Sequence, residues 1–147
     1  MRTERFNRAF DILTQAYFNG TLHKGTCAAC ACGNLITAAR GISIPKNLFD
    51  NHEVHQKLAD SMLSAELLLW DEPKTGYTRR ELSKVENAFE NNTFIHWQTY
   101  AYYSEQEILE DQYNGLCAVF EVLCQLDEVT DCDYKAKLQE KEGLVLA

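Results

Sequence analysis

Along the first part of the chain, apolar side chains recur every three or four positions. Phe6, Phe10, Leu13 and Tyr17 form one stripe, with Arg5, Arg8 and Asp11 on the other face. Thr3 stands where an N-cap belongs, and Gly20 stands where a left-handed residue commonly ends a helix. This predicts a first helix with one buried face. After a turn over residues 21–25, Thr26 is placed to cap a second helix running from Cys27 to Arg40, stopped by Gly41 and sealed by Pro45. Ala28, Ala29, Ala31, Gly33, Ala38 and Ala39 give it the small surface that lets a neighbouring helix approach closely.

Three later helix starts share a local code. In Asp50/Glu53, Thr78/Glu81 and Ser104/Glu107, a short polar cap is answered three positions on by Glu, between apolar flanks. Helical periodicity follows each: Val54, Leu58, Met62, Ala65 and Leu69; then Leu82, Val85 and Phe89; then Ile108, Leu116, Val119, Leu123 and Leu126. A sixth helix, from about Asp131 to Glu142, has little apolar face beyond Tyr134 and Leu138, so it depends on docking or on charge pairs along its surface. The exception to this periodicity is Thr93 to Tyr103, dense in aromatic and β-branched residues, which predicts a short strand. Gly41-Ile42-Ser43-Ile44 is its candidate partner in a minor two-stranded β-ribbon packed on the helices. The expected fold is all-α, a single domain over residues 1–147 with five or six helices.

Composition agrees. The chain has 147 residues, 46 % hydrophobic and 24 % charged, with two prolines and seven glycines, which suits a compact fold without a disordered linker. The apolar run Leu67-Leu68-Leu69-Trp70 is far too short to span a bilayer, and the N-terminus lacks the pattern of a signal peptide, so a cytoplasmic protein with reduced thiols is expected. The net charge of -8 is unevenly spread. Residues 1–47 carry six basic and two acidic side chains, whereas residues 104–147 carry three and eleven. The acidic C-terminal third argues against nucleic acid as a partner.

The densest chemistry lies in His23, Cys27, Cys30 and Cys32, an H-x3-C-x2-C-x-C set that could supply all four ligands of a zinc ion locally. An unbroken helix from Cys27 would turn Cys32 away from Cys30, so such a site needs the first turn unwound. Cys27 and Cys30 alone suit a thiol-redox pair at a helix N-terminus, but the buried strand that precedes such a motif is absent. The third reading is small buried thiols packing against a neighbour. Cys117 and Cys124 fall on the apolar side of the fifth helix, and Cys132 is peripheral. His52 and His55 have the wrong spacing for a helical zinc signature; phosphate-loop, nucleophile-elbow and di-iron patterns do not occur. In the aromatic segment Trp97, Tyr100, Tyr102 and Tyr103 offer contact faces, and the charges following them, Glu105 and Glu107, suit a protein partner better than a nucleic acid strand.

Residues 9–22 (Ala9-Phe10-Asp11-Ile12-Leu13-Thr14-Gln15-Ala16-Tyr17-Phe18-Asn19-Gly20-Thr21-Leu22) with the cysteine cluster, Thr75-Gly76-Tyr77-Thr78-Arg79-Arg80-Glu81-Leu82 with the Glu86 to Glu90 stretch, and Tyr113-Asn114-Gly115-Leu116 through Asp127 together resemble a family of short uncharacterised proteins of bacteria and their phages. Some members carry a name borrowed from the flavin-bearing component of the sodium-translocating NADH:quinone reductase. That component is similar to a ferredoxin joined to flavin and nicotinamide domains, and its cluster spacing C-x4-C-x2-C is not matched by C-x2-C-x-C here. The resemblance implies a bacterial or phage origin and carries over no catalytic residue. The reading that follows is a small intracellular binding or regulatory protein without enzymatic activity or a required cofactor, which acts on a protein partner. The alternatives are a zinc-stabilised or thiol-redox protein built on Cys27–Cys32, and an acidic protein that mimics nucleic acid.

Overall fold

The computed structural model describes residues 3–24, 30–41 and 75–146, the stretch 141–146 by backbone alone. The protein is all-α. The described elements are α1 (Glu4–Asn19), α2 (Ala31–Ala39), α3 (Arg79–Asn91), a 3₁₀ helix (Trp97–Tyr102), α4 (Glu105–Leu126) and α5 (Tyr134–Leu146). Local codes start α1, α3 and α4 where the sequence predicts, and stop α1 there too. The Thr3 hydroxyl accepts the Phe6 N–H at the head of α1, and Gly20, at φ 71°, closes it by donating to Ala16 and Tyr17. Both capping boxes within the described residues form: Thr78 with Glu81 on α3, and Ser104 with Glu107 on α4. The helix expected after Asp50 and Glu53, and His52 and His55 with it, lie outside the described residues.

Three expectations are corrected. The second helix begins at Ala31 and not at Cys27, because Cys30 is extended (ψ 178°) and its sulfur accepts the Gly33 N–H as an N-cap. The aromatic segment is not a strand: it winds into the 3₁₀ helix, and among the described residues its one sheet-like contact is a parallel bridge between His96 and Lys24. Ile42–Ile44, expected as the ribbon's other half, lie outside the described residues. The last helix starts at Tyr134, three residues later than expected, and docks through Leu138, which is fully buried.

One apolar core joins the helices. Phe6, Leu13 and Tyr17 of α1 meet Leu35 of α2, Leu82 and Phe89 of α3, and Leu116, Phe120 and Leu123 of α4. Phe120 bridges Phe10 and Tyr134, with ring centroids at 5.2 and 5.3 Å. The close approach of α3 to α4 requires Gly115, since a Cβ there would lie 2.3 Å from the Thr93 methyl and 3.0 Å from the Phe89 ring. That contact seats the segment connecting α3 to α4.

Candidate functional site

The connecting segment is fixed from below by α4. Buried Asp111 accepts the backbone N–H groups of Phe94 (2.8 Å) and Ile95 (2.9 Å) with its two oxygens. Thr93 returns its hydroxyl to the Phe89 carbonyl at 2.8 Å, and the Trp97 N–H donates to the Lys24 carbonyl at 3.2 Å. His96 then starts the 3₁₀ helix: Nδ1 accepts the Gln98 N–H and its carbonyl accepts Thr99. With backbone donors so satisfied, propensity for extended structure loses to local capping.

Tyr100 turns inward from this helix. Its hydroxyl lies 2.7 Å from His23 Nδ1 and receives an N–H from Gln112 at 3.2 Å, while the same amide nitrogen donates to the Leu22 carbonyl at 2.7 Å. Burial, opposed by the Gln112 hydrogen bond and assisted by the Asp111 charge, pushes the Tyr100 phenol up to about 12. The phenol stays neutral, accepts from Gln112 and shares one hydrogen bond with His23 Nδ1. His23 is 7 % exposed and bound into this network. Tyr100, expected as a contact face, instead holds the segment to the turn after α1.

Its neighbours face out. Phe94 is 82 % exposed, Tyr102 84 % and Tyr103 41 %. Trp97 is half-buried against His96, ring centroids 6.0 Å apart. Glu105 and Glu107 follow on the first turn of α4, both exposed, where carboxylates favour the positive end of the helix dipole. Hydrogen bonds from the Ser104 backbone and hydroxyl hold Glu107 below the usual carboxylate range. Trp97, Tyr102, Tyr103, Glu105 and Glu107 thus follow one another along a single strip of chain, from which Tyr100 is withdrawn inward and which exposed Phe94 joins. Phe94 bears no sequence signal that separates it from a core phenylalanine.

The cysteine cluster is only partly described. His23 engages Tyr100, the Cys30 sulfur caps α2, and Cys32 is buried in the core; Cys27 lies outside the described residues. Among the described residues no group of three His, Cys, Asp or Glu side chains could hold a metal ion. Burial, against a hydrogen bond from Tyr113, raises the Cys117 thiol above its ordinary value.

A second polar cluster joins the head of α1 to the end of α4. Asp127 caps α4, with Glu128 left-handed after it (φ 53°) and Val129 donating back to the Cys124 carbonyl. Its buried carboxylate accepts Thr3 and Tyr77 hydroxyls, both at 2.9 Å, and Arg5 Nε at 2.8 Å. Arg5 also reaches Glu81 (3.0 Å) and the Gly76 carbonyl (2.9 Å), with its guanidinium 4.3 Å from the centre of the Tyr77 ring. Gly76 has φ 85°, and a Cβ there would fall 2.7 Å from that of Arg5. Burial and the bond to Asp127 raise the Tyr77 phenol far above its ordinary value. Burial also pushes the Glu81 carboxyl up, but hydrogen bonds from Thr78 and Arg5 outweigh it and hold the carboxyl low. The partners in this cluster occupy one another, so it is a clamp. No helix among the described residues is long and apolar enough to cross a membrane. No protein-family model, curated protein or solved structure matches this chain.

Proposed function

We propose that this chain is a small intracellular binding or regulatory protein, of bacterial or phage origin, whose contact surface is the strip formed by Phe94, Trp97, Tyr102, Tyr103, Glu105 and Glu107. The observation that carries the reading is the pair Phe94 and Tyr102, exposed by 82 % and 84 % on a segment whose backbone is tied down by Asp111, Lys24 and the Tyr100 network. Large aromatic side chains held out on a rigid support lose little conformational freedom when a partner covers them. Aromatic residues are also the type most enriched at the centres of protein interfaces. Nothing in this strip resembles a nucleophile with an adjacent base, so binding is its chemistry.

The test is retention of a protein partner from bacterial lysate on the immobilised full-length chain, compared with Phe94→Ala and Tyr102→Ala. A defined partner held by the parent chain and lost with either substitution is the expected result. A partner retained equally by all three proteins would place the interface elsewhere.

A further inference from the structure

The strip lies in a stretch of one sign. From Val85 to Tyr134 the chain contains no lysine or arginine, while eleven aspartates and glutamates fall within it. Tyr102 and Tyr103 run directly into Ser104, the N-cap of α4, so these exposed rings adjoin the acidic first turns of that helix, and Asp111 on the same helix anchors Phe94. Glu105, Glu107 and Glu110 are all exposed there. Lys24, whose backbone meets the segment at His96 and Trp97, is already paired: its ammonium donates to the Glu90 carbonyl and lies 3.5 Å from the Glu90 carboxylate.

Resting on the binding reading above, we infer that this surface takes a basic, arginine- or lysine-bearing segment of a protein, seated with its cations over the Tyr102 and Tyr103 rings and beside Glu105 and Glu110. Two independent features select that occupant. Tyrosine faces attract cations through their ring quadrupole, and arginine most of all. The surrounding carboxylates raise the local concentration of cationic partners and repel acidic ones, which also excludes a nucleic acid strand from the same place. An aromatic strip alone would accept any apolar partner. An acidic face alone would attract cations without position. Combined on a fixed backbone, they specify both.

Binding of three synthetic peptides to the full chain, followed by calorimetry at low and high salt, tests this: one alternating arginine with glycine and leucine, one with glutamine for arginine, one with glutamate. The arginine peptide is expected to bind best and to weaken with salt as screening shortens the reach of the carboxylates. Tyr102→Ala should weaken it about fivefold, Glu105→Gln should remove part of the salt dependence, and Glu121→Gln, exposed about 24 Å further along α4 than Glu105, should change nothing. Equal weakening by Glu121→Gln would mean unspecific charge attraction and overturn the proposal. If the glutamine peptide binds as well as the arginine one and still depends on Phe94 and Tyr102, the basic partner is wrong while the contact surface stands. If no peptide responds to Phe94→Ala or Tyr102→Ala, both readings fall.

Discussion

The Arg5–Asp127 clamp and the Phe94–Glu107 strip are opposites in how they treat their side chains. In the clamp, polar groups are withdrawn from water and answered one by one: the Asp127 side chain is 1 % exposed and takes hydrogen bonds from Thr3, Arg5 and Tyr77. In the strip the backbone is answered, by Asp111 and Lys24, while the Phe94 and Tyr102 rings are left in water. A buried polar group needs its partners to offset desolvation, whereas an exposed aromatic ring gains nothing from folding and is ready for an outside contact. The same chain therefore separates stability from recognition, and substitutions in the two regions should behave differently.

The largest effect is expected from Asp127→Ala, which strands the Arg5 guanidinium and the Tyr77 hydroxyl without their shared acceptor. Breaking a buried charged cluster from one side costs about 3 kcal/mol, and urea denaturation should report a loss of that order with an unchanged slope. A change within experimental scatter would show the clamp to be ornamental. Next comes Asp111→Ala, at about 2 kcal/mol, because the Phe94 and Ile95 N–H groups lose their acceptors under the strip. This variant joins the two regions: it attacks the support of the recognition surface and should reduce stability and partner binding together.

Tyr77→Phe removes one hydrogen bond at a cost of about 1 kcal/mol, and it has a pH signature. Burial raises the Tyr77 and Tyr100 phenols above the ordinary value of about 10, so the folded state holds these protons more tightly than the unfolded one. Their contribution is complete below the unfolded value and is lost as pH rises beyond it. Glu81 has the opposite sign. Despite its burial, its bonds from Thr78 and Arg5 lower the carboxyl, so its contribution is present above the unfolded value of about 4.3 and disappears as pH falls through the folded one. Stability should thus decline on both sides of a plateau between these limits, and Tyr77→Phe should flatten only the alkaline decline. The smallest effect on stability is expected from Phe94→Ala with Tyr102→Ala, within about 0.5 kcal/mol, accompanied by loss of the partner. Thermal unfolding that drops by several degrees would place these rings in the fold and not at a surface.

Features coded over three or four residues were legible. Thr3, Gly20, Thr78/Glu81 and Ser104/Glu107 act where the sequence puts them, because a cap needs only its own helix turn. The aromatic segment misled for a physical reason. Its β-prone residues express a liking for half-buried pleated surroundings, and no strand stands beside them among the described residues; the capping of Gln98 by His96 and the anchoring by Asp111 prevailed. The cysteine cluster misled in part through Cys30, whose sulfur serves as a cap and starts the helix later than the run of small residues back to Cys27 suggests.

Periodicity and capping are local, so the helical class, the positions of most helix ends and the aromatic, acidic character of the surface segment could all be read along the chain. It took the packed fold to settle that Tyr100 faces inward to a histidine 77 positions away while Tyr102 faces out, and that Arg5 finds its carboxylate 122 positions later. Those choices depend on which surfaces the packed helices bring together, and no spacing along the chain encodes them.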